Sequence, residues 1–280
     1  MAQNDSLKYC QTENGTICYR EFGVNNDSVI LLLHGIPGSS HCFDSLASFL
    51  SNRYRVIVPD LLGFGNSSKP KFDYYMTAQA EAVSSLLTDK GVKELTIFGH
   101  DFGGPVALTF MRLFSYPKVN KLILSSTNVF TDTYIPPPLR MAKVPILRDL
   151  FFWMMAGSRM GMNMTYKQAV IQKDTYTHQM FNKSITKSGM RYTNRIFKKS
   201  LSNLKLHYKD IHNYLSEIKI PVLVLWGDAD PFFAVNVGER TAKAVQKGLL
   251  IVYPKTGHYV PSEQPKAVSV DVLKFLNDGN

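Results

Sequence analysis

Three side chains of this 280-residue chain stand where a displacement reaction would need them. The first is Asp101, framed by glycines in Gly99-His100-Asp101-Phe102-Gly103. The short apolar run Leu95–Phe98 ahead of it reads as a buried strand, and Pro105 to about Phe114 reads as an apolar helix. A strand-to-helix turn of the pattern Gly-x-nucleophile-x-Gly holds its central residue in strained backbone, so the neighbours must be small. The central side chain then projects at the helix N-terminus, where partial positive charge steadies a carboxylate. A carboxylate needs no deprotonation. It can displace a leaving group from saturated carbon, forming an ester of its own side chain. An aspartate that merely caps a helix would fit the same five residues, so the companion motifs carry the decision.

Those companions follow three further apolar runs. His34-Gly35-Ile36-Pro37-Gly38 comes directly after a run ending at Leu33, and its Ile36 amide is expected to join the Phe102 amide as an oxyanion hole. Trp226-Gly227-Asp228-Ala229-Asp230 follows Val222–Leu225 and offers two carboxylates, one of them expected to be a turn former. Gly257-His258-Tyr259-Val260-Pro261 follows Leu249–Tyr253 and supplies a histidine able to act as general base on water. Nucleophile, acid and histidine arrive in that order, each after its own strand. This is the chain order of an α/β-hydrolase, and chance does not easily produce it.

The elements that must position these groups alternate. Strands are expected at Thr16–Phe22, Ser28–Leu33, Arg55–Val58, Leu95–Phe98, Val119–Ser125, Val222–Trp226 and Leu249–Tyr253. Helices are expected at Thr77–Asp89, from Pro105, at Asn236–Lys247 and at Pro265–Asn277. Continuous apolar runs between helices indicate a mostly parallel sheet with both faces covered. Between Thr131 and Ile220 the alternation lapses into several short helices, opened by Pro136-Pro137-Pro138 and Pro145. The expected organisation is a core of residues 1–130 and 218–280 with a helical cap, 131–217, inserted into it.

Composition narrows the class. Apolar residues make up 45% and charged residues 19%, enough for a sizeable core. No apolar run is long enough to span a bilayer, and the first residues lack the basic and apolar stretches of a secretory signal. Cys10, Cys18 and Cys42 lack metal-ligand spacing, so a reducing cytoplasm is the expected location, without disulfides or bound metal. The net charge is +10, from 32 Lys/Arg and 22 Asp/Glu. Residues 140–210 hold 14 Lys/Arg and 3 Asp/Glu, and the remainder holds 18 and 19, so the basic character belongs to the insertion. Nothing there has the form of a nucleic-acid motif, and no nucleic-acid partner is expected.

The four motifs and the placement of the insertion resemble the α/β-hydrolases with an aspartate nucleophile, above all epoxide hydrolases and haloalkane dehalogenases. The likeness covers 16–128 and 221–277 and is only architectural over the cap. His34-Gly35-Ile36-Pro37 matches the His-Gly-x-Pro motif of epoxide hydrolases, and Gly63-Phe64-Gly65-Asn66-Ser67 matches their second glycine-rich loop. Asp101 with Gly103 and Gly104 matches their elbow. The resemblance implies Asp230 rather than Asp228 as the acid, because it holds the last place of Gly-x-x-Asp. It also implies a small apolar or amphipathic organic substrate, water as co-substrate, no cofactor, and a monomer or homodimer. Epoxide hydrolases protonate the leaving oxygen with cap tyrosines, for which Tyr166, Tyr192, Tyr208 and Tyr214 are the candidates. Tyr208 is the best placed in sequence. The first such tyrosine is missing, and Phe151-Phe152-Trp153 stands in that stretch. Dehalogenases place tryptophan after the nucleophile and often asparagine after His-Gly. Phe102 and Ile36 stand there instead, leaving Trp153 as a lone cap donor. The pattern favours an epoxide over a haloalkane. A non-hydrolytic oxygenase or ligand-binding member of the same fold is the further alternative.

Overall fold

The computed structural model describes residues 6–70, 76–133, 154, 158–172, 183–202 and 204–278. Eight strands make one sheet: β1 (Lys8–Thr12), β2 (Gly15–Phe22), β3 (Val29–Leu33), β4 (Arg55–Asp60), β5 (Glu94–His100), β6 (Lys118–Ser125), β7 (Val222–Gly227) and β8 (Gly248–Tyr253). Their spatial order is β1-β2-β4-β3-β5-β6-β7-β8. From β4 to β8 every pairing is parallel, while β2 runs antiparallel to both β1 and β4. Each run expected to be a strand is one. Strand β1 was not expected; it pairs with β2 across a tight turn containing Asn14-Gly15, so that Thr12 faces Gly15.

Both faces of the sheet are covered because successive side chains of a strand point to opposite sides. Leu31, Leu33, Ile97, Leu122, Leu124, Val222 and Val224 pack on one side, with α2 (Met76–Asp89) and α3 (Gly103–Leu113). Ile30, Leu32, Phe98, Ile123, Leu223 and Leu225 pack on the other. There they meet α1 (Asp44–Leu50) and, through Val268 and Val272, the C-terminal helix 265–277. Strands β3 and β7 are buried at every position, which is why they read as unbroken apolar runs. Each such Leu, Ile or Val contributes roughly 1.5–3 kcal/mol of burial.

Between β6 and β7 the described elements are helices: α4 (Arg159–Ala169), α5 (Lys187–Ser202) and α6 (Leu204–Tyr214). Tyr208, Ile211 and Leu215 of this region join the core on the α3 side. Tyr166, Ala169 and Val170 form a separate cluster with Tyr259. After β7 come α7 (Val235–Ala244), the single turn α8 (Val260–Glu263) and α9 (Pro265–Asn277).

The strand order places the functional residues. From β3 the chain moves outward to β4 and then returns to the other side of β3 as β5. The carboxyl ends of β3 and β5 therefore flank a topological switch point, where open α/β sheets bind ligands. His34–Gly38 leaves β3 there and Asp101 leaves β5 beside it.

Candidate active site

Asp101 sits at the first position beyond β5 with φ +48°, in the left-handed region that a side chain occupies only at a cost of about 1–2 kcal/mol. Its backbone is held on both sides. The Asp101 amide donates to the Ser125 carbonyl at 3.0 Å, and its carbonyl accepts from the Thr127 hydroxyl at 2.6 Å and the Gly104 amide at 3.1 Å. The expected need for small neighbours is literal: a Cβ on Gly103 would lie 2.1 Å from the Leu33 carbonyl oxygen.

The carboxylate of Asp101 occupies the pair of amides expected to form an oxyanion hole. Its Oδ2 accepts from the Ile36 amide at 2.9 Å, and the Phe102 amide also donates to the carboxylate. Gly35 allows this approach, since a Cβ there would stand 2.6 Å from Oδ2. His34 fixes the loop. Its Nε2 accepts from the Leu61 amide at 2.9 Å, so its Nδ1 donates to the Gly35 carbonyl at 2.7 Å. Burial pushes the His34 pKa down and keeps that neutral tautomer. The second glycine-rich loop buttresses the same corner: Phe64 sets its ring edge-on to His34 at 5.7 Å, and the Ser67 hydroxyl accepts from the Cys18 amide at 2.8 Å.

Opposite Asp101 stands His258, 3% exposed. Its Nδ1 lies 3.0 Å from Asp230 Oδ2 and its Nε2 lies 3.8 Å from Asp101 Oδ1. The first is a hydrogen bond and the second is too long to be one. Asp230 is fixed in turn by the Phe232 and Phe233 amides, which donate to Oδ1 at 2.9 and 3.1 Å. Asp228, the rival acid in the sequence, is exposed and accepts instead from the Thr256 amide at 3.2 Å, tying the turn after β7 to the loop that leads to His258. The geometry brings Asp101, Asp230 and His258 together and leaves Asp228 outside.

The electrostatics are those of a dry cluster. Burial pushes the Asp101 carboxyl above its ordinary value, against the pull of His258 and the two amides. Burial opposes ionisation of Asp230 too, but His258 and the Phe232 and Phe233 amides outweigh it and hold the carboxyl low. For His258 burial acts downward, yet the Asp230, Asp101 and Glu263 carboxylates raise it above the usual imidazole value. His100, a residue the sequence reasoning did not single out, stacks on His258 with ring centroids 5.0 Å apart. Its Nδ1 faces the Ser125 carbonyl at 3.2 Å, and burial followed by the His258 charge drives its pKa to about 3. His100 is therefore a neutral ring packed against His258.

The four tyrosines expected to serve as donors divide into two pairs. The Tyr192 hydroxyl donates to the Lys69 carbonyl at 2.9 Å and the Tyr214 hydroxyl to the Met111 carbonyl at 3.2 Å, so both tie helices down. Tyr208 is buried, and its phenol is pushed up by burial and then by the Asp101 charge. Tyr166 is buried with its ring 4.5 Å from Tyr259. Trp153 lies outside the described residues. Tyr259 had drawn no attention beyond its place in a motif, yet it is buried against His258, with ring centroids 5.3 Å apart. Among the described residues no group of three His, Cys, Asp or Glu is placed to hold a metal ion, and the cysteines are free and buried. No helix among them is long and apolar enough to cross a membrane.

Residues 28–265 match the model of the alpha/beta hydrolase fold family, and the chain belongs to that family. It is 26% identical to an uncharacterised hydrolase of Saccharomyces cerevisiae, over 95% of each chain. It is 28% identical to Lipase 3 of a Moraxella species, over 100% of this chain and 83% of the relative. The epoxide hydrolase CorEH superposes with a TM-score of 0.76 at 19% identity, covering 97% and 98% of the two chains. A haloalkane dehalogenase DbeA variant of Bradyrhizobium elkanii does so at 0.81 and 18%, covering 97% and 96%. At such identities the superpositions speak for the fold, and the chain is a hydrolase-fold protein whose specific chemistry must be argued from its own residues.

Proposed function

We propose that the chain is a hydrolase that opens a carbon electrophile, an epoxide, through an ester on Asp101. One observation carries this reading. An amide of the expected oxyanion hole holds an oxygen of the attacking side chain itself, with Oδ2 bound to Ile36 at 2.9 Å and Oδ1 3.8 Å from His258 Nε2. In a serine esterase that hole awaits the substrate's carbonyl oxygen. With a carboxylate attacking through Oδ1, the carbonyl of the new ester is Cγ–Oδ2, and it is formed already bound to the Ile36 amide.

The sequence of events follows. Asp101 Oδ1 attacks an epoxide carbon, the carbon–oxygen bond breaks, and the departing oxygen takes a proton from a phenol. Tyr208 is the first candidate, because burial and the nearby negative charge keep it protonated. Water then loses a proton to His258 Nε2 and attacks Cγ of the ester. The oxyanion builds on Oδ2, where each donor contributes roughly 3 kcal/mol. Asp230 holds the imidazole tautomer and stabilises the imidazolium. Collapse breaks the Cγ–Oδ1 bond, and the departing alkoxide takes the proton held on His258 Nε2 to complete the diol. The remaining proton of the water returns to the phenolate, and the water oxygen stays in the carboxylate. In this reading the inserted helices α4, α5 and α6 belong to the cap, and the Phe232 and Phe233 rings against His258 suit an apolar or amphipathic substrate.

A departing halide needs N–H donors in the pocket. Trp226, one of two tryptophans, donates its Nε1 to the Phe233 carbonyl at 2.7 Å and is spent. With Trp153 outside the described residues, the epoxide is favoured over the haloalkane by Phe102 and Ile36, which stand where dehalogenases carry tryptophan and asparagine.

The test is a panel of small epoxides and haloalkanes, with diol formation and halide release followed separately. Asp101→Asn is expected to abolish turnover. His258→Gln is expected to trap the ester, seen as a mass increase on the peptide that contains Asp101. Halide release without diol formation would replace the epoxide by the haloalkane. If no substrate is turned over and no ester accumulates, the hydrolase reading fails in favour of a non-hydrolytic member of the fold.

A further inference from the structure

Beside the loop that carries His258, a buried carboxylate has three backbone amides for partners. Glu263, at the end of α8, is 3% exposed. Its Oε2 accepts from the Ile171 amide at 2.8 Å and the Gln172 amide at 3.0 Å, just beyond the end of α4. Its Oε1 accepts from the Gly257 amide at 3.1 Å, the residue before His258. A fourth bond runs the opposite way: the His258 amide donates to the Ala169 carbonyl at 2.8 Å. The two segments are clasped from both directions. Gly257 is shaped to the clasp, since a Cβ there would stand 2.2 Å from the Ala169 carbonyl oxygen and 2.9 Å from Glu263 Oε1.

We propose that Glu263 is a positioning residue that latches the end of α4 to the loop carrying His258, so that docking of the inserted helices and placement of the base over Asp101 are one event. The chemistry selects a carboxylate. Three N–H donors converge on two oxygens, and an ionised carboxylate is the one side chain of this size with only acceptors to offer. Hydrogen bonds to a charged acceptor are roughly twice as strong as neutral ones, and removing a buried acceptor strands its donors. The latch has an electrostatic consequence as well. The Glu263 charge acts on His258 in the same sense as Asp230 and Asp101, and the rings of His100, Tyr259, Phe232 and Phe233 pack around the imidazole. The Glu263 charge favours the imidazolium that forms when water is deprotonated.

The proposal rests on His258 being the general base, and the test separates the two. Glu263→Gln replaces one acceptor by a donor within the same volume. Ile171→Pro removes one amide from an exposed site while leaving the Glu263 charge in place; Val170 ahead of it is already extended, with φ −107° and ψ 122°, as a residue before proline prefers. Hydrogen exchange at the Gly257 and Gln172 amides and the NMR titration of His258 need no substrate. Both variants are expected to speed exchange at both amides, and Glu263→Gln alone to move the His258 titration to lower pH. With a substrate in hand, kcat should fall roughly tenfold in each, equivalent to about 1.4 kcal/mol, with KM little changed. Glu263→Asp should recover part of the loss. Unchanged exchange at Gly257 in the Ile171→Pro variant overturns the latch, as does a His258 titration in Glu263→Gln that matches wild type. Neither outcome depends on whether the substrate is an epoxide.

Discussion

In the proposed reaction Asp101 is attacking group and future carbonyl at once, so its charge is removed from the site halfway through. This has a consequence for His258, whose raised pKa depends on three carboxylates opposing the cost of burial. In the free protein Asp230, Asp101 and Glu263 all favour the imidazolium. In the ester Asp101 is neutral, and only two of the three remain. The sign is definite: losing a nearby negative charge lowers a histidine's pKa. The general base works when neutral, so the rate of ester breakdown should rise with pH through the His258 pKa of the intermediate. That limb is expected at lower pH than the His258 titration of the free protein. Single-turnover decay of the ester measured across pH, set against an NMR titration, makes the comparison. A limb at or above the free-protein value would mean that Asp101 does not carry the ester.

At the scale of elements, the site depends on two neighbouring strand ends. Strands β3 and β5 pair in parallel with Leu33 opposite Gly99, so the loop after one and the turn after the other leave the sheet side by side. Gly35→Ala tests that juxtaposition. Its Cβ would fall 2.5 Å from Asp101 Cβ, forcing the carboxylate off the Ile36 amide while leaving the strands intact. A loss of about 10²-fold in kcat, the usual cost of one oxyanion donor, is expected with an unchanged circular dichroism spectrum. Wild-type activity would show that the approach of the two loops is not needed. How much of this was legible in the sequence follows from what each element buries. Unbroken apolar runs such as Val-Ile-Leu-Leu-Leu betray central strands, and glycines betray close approach, so the Asp101 turn and the His34 loop were readable. Strand β1 was not, because an edge strand with the burial pattern of Lys8–Thr12 carries a weak alternation, although Asn14-Gly15 was an available hairpin signal. Helix α1 is only seven residues long, too short for a periodic pattern to stand out. The choice between Asp228 and Asp230 needed an argument from resemblance, because only the folded structure shows that Asp230 lies 3.0 Å from His258. Glu263 and His100 were invisible as partners of His258, because what marks them is burial against it and not their spacing.

Across the whole molecule, charge is divided as sharply as structure. Residues 140–210 carry 14 Lys/Arg against 3 Asp/Glu, while the rest of the chain is nearly balanced at 18 and 19. Part of that excess lies on α5, which packs against the loops beside Asp101. On α5, Gly189 packs near Phe64 and the Pro37 carbonyl, and Tyr192 lies against Gly63, so the inner face of this helix covers the loops beside Asp101. Lys187, Arg191 and Arg195 are exposed along its outer face, at the i, i+4, i+8 spacing of a single stripe. A stripe of cations at an entrance raises the local concentration of anions and speeds their capture, an effect that fades as the Debye length shrinks from about 10 Å at 0.1 M salt to 3 Å at 1 M. If the insertion steers substrate, kcat/KM for a carboxylated epoxide should fall roughly tenfold over that range. A neutral analogue of the same size should change little, and kcat should hold for both. Replacing Lys187, Arg191 and Arg195 together by glutamine should remove most of the difference between the two substrates. The same salt dependence for charged and neutral substrates would instead make the stripe a solvated outer face that keeps the protein in solution and has no part in capture.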